Sequence, residues 1–215
     1  MDRIPYQIIS TGSIGNAVVL NNNILIDCGV PYKKIEPYVK DIRLVLLTHE
    51  HGDHFNTKTI LKIHKERPTV RFGCGRWLLP KLIELGVSPL SIDIYDAGKS
   101  YGYKYFSITP FELVHNVRNM GYKIHLPEGK KVLYATDTGS MIGIEAKGYD
   151  LYFVEANYED EEIKQRIAEK KKAGLYSYEE HAIHNHLSRA RCDDWLYANM
   201  GNHSEYIYMH QHVSR

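Results

Sequence analysis

Four side chains able to bind a transition metal fall within six positions: His49, His51, Asp53 and His54. They follow Ile42 to Leu47, a short apolar run compatible with a buried strand. At a strand end, residues two apart point the same way, so His49 and His51 can share one cation. Gly52 lets the backbone turn, after which Asp53 and His54 can reach toward a second cation beside the first. Neutral imidazole together with carboxylate suits Zn²⁺, or another borderline divalent ion such as Mn²⁺, better than Ca²⁺ or Mg²⁺. A polar loop after a strand is the plain alternative, and three histidines and an aspartate in six positions argue against it.

The elements that must position these groups alternate along the first half of the chain. Strands are expected over 4–9 and 17–26, the second broken by an Asn21-Asn22-Asn23 turn. A helix over 31–40 precedes the strand at 42–47. A second, capped by Thr57, runs through His64, whose place beside Lys62 and Lys65 reads as solvated surface. A strand over 69–72, an amphipathic helix over 76–85 ended by Gly86 and a strand over 91–94 follow, which is the pattern of an α/β layered domain. Beyond Lys104 the chain turns to β, with strands over 105–109, 110–115, 121–126, 132–135 and 151–154. A charged helix over 159–174 ends in Lys170-Lys171-Lys172, either a solvated face or a phosphate-contacting patch. Ser188 caps a last helix, and a strand over 206–209 closes the chain. Ser10 to Asn16 is a Gly/Ser loop without Gly-Lys-Ser/Thr, better read as a tight turn near the site than as a phosphate loop.

Composition narrows the class. With 215 residues, 27 basic against 26 acidic side chains and no biased tract, the chain reads as a single domain, 1–215, with no global field for nucleic acid. The N-terminus lacks an apolar leader and no run is long enough to span a membrane. Cys28, Cys74 and Cys192 are isolated, so a disulfide framework is not expected and a reducing cytoplasm is.

The His49-x-His51-x-Asp53-His54 stretch resembles the signature of the metallo-β-lactamase superfamily. The resemblance implies an α/β fold, the αββα four-layer sandwich, holding two divalent metals. It makes Asp27, at the end of the Ile24-Leu25-Ile26 strand, an acid that orients ligands from beneath, where the residues alone also allow a turn-initiating aspartate. It makes His115 the third ligand motif and Asp137 the bridging carboxylate. Class B1 and B2 β-lactamases carry Cys at that position, so Asp137 speaks against antibiotic hydrolysis. The final ligand is a His after a late strand. His212, in His-Val-Ser, matches the His-x-Ser form of ribonuclease Z, with His210 as the other candidate. The implied sets are His49, His51 and His115 on one metal and Asp53, His54 and His212 on the other, with Asp137 between.

Two further motifs bear on the reaction. Glu155-Ala156 resembles the Glu-Ala of ribonuclease Z's His-Glu-Ala-Thr, without its leading His, and His186-Leu187-Ser188 resembles that family's downstream His-Ser element. There the Glu orients the His as a proton donor to the leaving group; His181 and His184 are the competing candidates here. Asp53, Glu155 and His186 are therefore the expected participants in catalysis. The expected activity is a phosphodiesterase or nuclease on RNA or DNA, using a metal-activated hydroxide. A cyclic-nucleotide phosphodiesterase and a glyoxalase-II-like thioester or lactone hydrolase are the alternatives. Relatives of this kind are often homodimers.

Overall fold

A computed structural model describes residues 3–211. The chain divides at Tyr101/Gly102 into two compact units, each carrying one six-stranded sheet.

In the first unit the strands lie side by side in chain order: β1 (Tyr6–Ser10), β2 (Ala17–Leu20), β3 (Ile24–Ile26), β4 (Leu44–Leu47), β5 (Arg71–Gly75) and β6 (Ile92–Tyr95). β1 to β3 form an antiparallel meander, and its second turn places Asn21 and Asn22 at φ 48° and 59°, the left-handed region that Asn tolerates. From β3 onward the pairs are parallel, so each return needs a crossover. These are α1 (Tyr32–Val39), α2 (Thr57–Glu66) and α3 (Leu79–Glu84). Tyr32 and Ile35 of α1, Ile60 and Ile63 of α2 and Leu82 of α3 pack on Leu25, Val45, Leu47 and Phe72 of the sheet. All four residues of β4 are buried, as a central parallel strand requires.

Asn56, not Thr57, caps α2, its side chain accepting from the Thr59 N–H at 3.1 Å. His64 is half-buried rather than solvated: its Nε2 accepts from the Ser88 N–H at 3.2 Å and its ring meets Phe72 edge-on. The helix expected over 76–85 begins as a 3₁₀ turn, Arg76–Leu78, because Pro80 cannot continue an α-helical ladder from that side.

The second unit has the strand order β12-β11-β10-β9-β8-β7. β7 is Tyr101–Gly102, β8 Ser107–Leu113, β9 Asn119–His125, β10 Lys131–Ala135, β11 Leu151–Glu155 and β12 Glu205–Met209. The two strands expected over 105–115 are one, β8, which passes through Pro110 without a break. β8, β9 and β10 are antiparallel; β10, β11 and β12 are parallel. α4 (Asp160–Lys172), α5 (Tyr178–Asn185) and α6 (Arg189–Asn199) lie between β11 and β12. Cys192 and Leu196 of α6 pack with Leu133, Ala135, Tyr152 and Val154 of the sheet. Ser188 caps α6. All three cysteines are free and buried, and burial pushes the Cys74 and Cys192 thiols up to about 12. No helix among the described residues is long and apolar enough to cross a membrane.

α4 and α5 form a helical hairpin with a small core of Ile163, Ile167, Ala182 and Ile183. The lysine run is paired rather than free, Lys170 with Glu179 and Lys171 with Glu180. The hydrogen bond from the Lys170 ammonium, 2.7 Å from both carboxylate oxygens, holds Glu179 below its ordinary 4.5. A carboxyl depressed in the folded state stabilises that state above its unfolded value and loses the contribution as pH falls toward its folded value. Hydrogen exchange of the α4 and α5 amides is therefore expected to accelerate, relative to α6, as pH drops below about 4.5. Lys170→Met should abolish that difference; an unchanged pH profile in the variant would show that the pair contributes nothing.

Candidate metal centre

The ligand candidates of the first unit sit at the carboxyl ends of parallel strands, where α/β sheets place their ligands. Register explains why. Ile26 pairs with Leu46, so the next residue, Asp27, lies beside Leu47 and Thr48, and its N–H donates to the Leu46 carbonyl at 2.8 Å. Asp27 is fully buried at φ 61°. Its carboxylate accepts the Thr48 N–H at 2.9 Å and the Thr48 hydroxyl at 2.9–3.0 Å, and lies 2.7 Å from His54 Nδ1. Burial pushes the Asp27 carboxyl above the ordinary aspartate range, against the pull of His54.

This network fixes both histidine tautomers. The carboxylate only accepts, so His54 carries its proton on Nδ1 and presents the Nε2 lone pair, which accepts from the Asn16 amide at 2.8 Å. The Thr48 hydroxyl donates to Asp27, so its oxygen accepts from His49 Nδ1 at 3.0 Å and His49 also presents Nε2. His49 Nε2 and His51 Nδ1 stand 3.1 Å apart. Two nitrogens on one tetrahedral zinc, each at about 2.0–2.1 Å, would be roughly 3.3 Å apart. The donor set therefore fits a shared ion. Asp53 Oδ2 lies 3.8 Å from His54 Nε2. The Gly/Ser loop packs under this turn as a tight approach requires: Asn16 N–H donates to the Asp53 carbonyl at 2.6 Å, and a Cβ on Gly29 would overlap that carbonyl.

The second unit repeats the arrangement. Ala135 pairs with Val154 and Glu155 with Met209, so Thr136-Asp137, Glu155 and His210 follow one another across three parallel strand ends. Asp137 (φ 58°) and His210 (φ 53°) are both left-handed, like Asp27. Asn119 holds the turn, its amide donating to the carbonyls of Thr136 (2.9 Å) and Asp137 (2.7 Å). Asp137, Glu155, His186 and His210 are all buried, with one ligand atom of each within 4.8 Å of the others. His210 Nε2 lies 3.4 Å from Asp137 Oδ1, and His210 Nδ1 lies 2.8 Å from Asn157 Nδ2. His115, two residues past β8, has Nδ1 3.1 Å from the Asn185 carbonyl. The carbonyl accepts, so His115 also presents Nε2.

Glu155 and His186 make a separate pair. Glu155 Oε2 accepts the N–H groups of Thr138 (2.6 Å) and Leu187 (3.3 Å), which fixes the carboxylate plane, and Oε1 lies 2.7 Å from His186 Nδ1. His186 therefore presents Nε2, and its ring stacks on His210 at 5.0 Å. His181 and His184 are exposed on α5 and take no part in this pair. His212 lies outside the described residues. Sequence reasoning put the loop ending at Asn16 near the site without giving Asn16 a contact, and passed over Thr48, Asn119, Asn157 and the Asn185 carbonyl. Thr48 had a signal, a hydroxyl immediately before the first histidine; Asn119 and Asn157 had none.

A model of the beta-lactamase superfamily domain matches residues 22–200. Exodeoxyribonuclease WalJ of Streptococcus pneumoniae, matched in two strains, is 25% identical over 236 aligned positions covering 98% of this chain and 81% of that one. Among solved structures, the metallo-beta-lactamase fold protein YhfI from Bacillus subtilis superimposes with a TM-score of 0.73 at 14% identity, covering 98% of this chain and 87% of that one. The short form of human tRNase Z gives 0.69 at 15% identity, covering 96% and 92%. The α/β fold of two sheets and flanking helices is thus that of YhfI, and with four-fifths of its length matched by the family's own domain model, the chain belongs to the metallo-β-lactamase superfamily.

Proposed function

We propose that the chain is a zinc-dependent phosphodiesterase that hydrolyses nucleic-acid strands. The observation that carries this reading is the buried Glu155–His186 pair, a histidine oriented by a carboxylate beside Asp137. A phosphodiester releases an alkoxide, which needs a proton on leaving, whereas thioester hydrolysis gains little from such a donor. The 25% identity to a protein named as an exodeoxyribonuclease supports a DNA strand as the substrate.

In this reading His49, His51 and His115 would hold one ion and Asp53, His54 and His210 a second, with Asp137 available to both. His210 replaces His212 in the set because it follows β12 directly, is buried and faces Asp137. Divalent ions held there would supply an activated water at neutral pH and neutralise the non-bridging phosphate oxygens. The remaining work falls to the chain. Asp27, through Thr48 and His54, keeps the nitrogens of His49 and His54 that bear lone pairs turned toward the ions. Glu155 keeps the His186 Nδ1 proton in place, so that the ring, when it carries a second proton on Nε2, passes that proton to the leaving oxygen and later regains one from water.

The test is incubation of the zinc- or manganese-loaded protein with labelled single-stranded DNA and RNA, 3′,5′-cyclic nucleotides and a thioester, with His51→Ala alongside. Strand cleavage that disappears in His51→Ala is expected. Thioester cleavage with every phosphodiester intact would overturn the reading.

A further inference from the structure

α5 carries two histidines that the proposed chemistry leaves unused. With Glu180 and Ile183 of the same helix and Ile167 of α4, His181 and His184 line a pocket of about 430 Å³. Its walls are mixed in a specific way. The two isoleucines give an apolar floor continuous with the hairpin core. The His181 ring is one wall, and the Tyr176 ring lies 6.0 Å from it at 33°. Glu180 supplies two carboxylate oxygens. One lies 2.9 Å from Lys171 Nζ, but both side chains are largely in water, where such a pair is worth little and gives way to another donor.

The pocket is also tied to the candidate centre through the backbone. α5 ends at Asn185, whose carbonyl holds His115, and at His186, which pairs with Glu155. The His184 carbonyl sits so close to Gly139, two residues past Asp137, that a Cβ there would overlap it. His184 and His186 are two residues apart, and since His186 is already extended they stand at most about 7 Å apart along the chain. A nucleotide whose phosphate reaches His186 thus has its base within reach of the pocket.

We propose that this pocket is a nucleobase subsite that prefers guanine. A flat base would stack on the His181 ring over the isoleucine floor, as bases stack on aromatic side chains. An ionised carboxylate can only accept hydrogen bonds, and guanine alone among the common bases presents two adjacent donors, its ring N–H and its amino group. Glu180 is the group that reads them. The proposal rests on the phosphodiesterase reading for its place in a reaction but not for its test.

That test is calorimetric titration of the full chain, with and without added zinc, against the 5′-monophosphates GMP, AMP, CMP and UMP, with inorganic phosphate as the base-free control. GMP should bind about tenfold tighter than the other three, the worth of hydrogen bonds to a charged group. Glu180→Gln should remove that preference, and His181→Ala should weaken all four nucleotides without affecting phosphate. Both positions are exposed, so folding is not at stake. Equal binding of the four nucleotides, or a preference that survives Glu180→Gln, would overturn the subsite. Hydrolysis of bis(p-nitrophenyl) phosphate by the wild type tests the phosphodiesterase reading separately, since that substrate carries no nucleobase. Hydrolysis without base preference sinks the subsite alone; a Glu180-dependent GMP preference without hydrolysis sinks the phosphodiesterase reading alone.

Discussion

Replacing His186 with alanine is expected to lower kcat on a dinucleotide or a DNA strand by roughly 10²- to 10⁴-fold, the usual range for a positioned proton donor. The same variant should hydrolyse bis(p-nitrophenyl) phosphate nearly as well as wild type, because a nitrophenolate leaves without protonation. The contrast between substrates is the discriminating quantity. A ring that merely supported the fold would, when removed, depress both reactions together. The structure gives reason to expect the selective outcome: Nδ1 is engaged by Glu155 at 2.7 Å and only Nε2 is left to meet a substrate. Glu155→Gln should follow the same pattern more weakly, since the amide oxygen can still accept from Nδ1 but holds the ring less firmly than a carboxylate does. Steady-state kinetics on the two substrates decides it. Parallel losses on both would remove His186 from the chemistry.

Asp27→Ala should have the largest effect on the protein itself. The carboxylate is fully buried and accepts the Thr48 N–H, the Thr48 hydroxyl and the His54 ring proton. Its removal leaves the Thr48 N–H buried without that acceptor and the His54 Nδ1–H with only the Thr48 hydroxyl, 3.3 Å away, at a cost of about 3 kcal/mol. In a chain of this size that corresponds to roughly 10 °C in Tm. Because Thr48 relays the carboxylate to His49, both histidine tautomers are released, and zinc affinity should fall by about 10- to 100-fold. Asp27→Asn separates the two effects. The amide oxygen still accepts from Thr48, but its NH₂ group faces the His54 proton and forces the other tautomer. This variant should therefore melt closer to wild type while losing as much affinity. Thermal melts and competition with a chelator for zinc give the two readouts; an Asp27→Ala protein that melts and binds zinc like wild type would refute the relay.

What could be read from the sequence was whatever rests on a local pattern, whether apolar periodicity, a turn residue or a cap. The strand leading to His49, the Asn21–Asn23 turn, the crossover helices and the Ser188 cap are all carried by local patterns that tertiary structure leaves in place. What could not be read depends on side-chain direction or on register. Asn56 and Thr57 are both competent caps, and only the turn of the chain decides that Asn56 reaches Thr59. His64 lies among lysines in sequence yet faces Ser88, because α2 rotates it toward the loop after α3. α5 went unseen because Tyr178 to Asn185 buries only Ala182 and so shows no apolar stripe. The place of His210 depends on register too: pairing of Met209 with Glu155 is what brings it beside Asp137.

Asp27, Asp137 and His210 each hold a left-handed backbone at the end of a strand, a conformation that costs a non-glycine residue of order 1 kcal/mol. At Asp27 the lost hydrogen bonds outweigh that cost, but glycine would relax Asp137 and His210. Any campaign that selects this protein for heat tolerance or expression yield alone is thus drawn toward the residues that turn a carboxylate or an imidazole into the candidate centre. Its winners would be sturdier and empty. Durability and metal capture compete here at the level of single backbone angles, and screening for bound zinc alongside melting temperature is what keeps the two from being traded against each other.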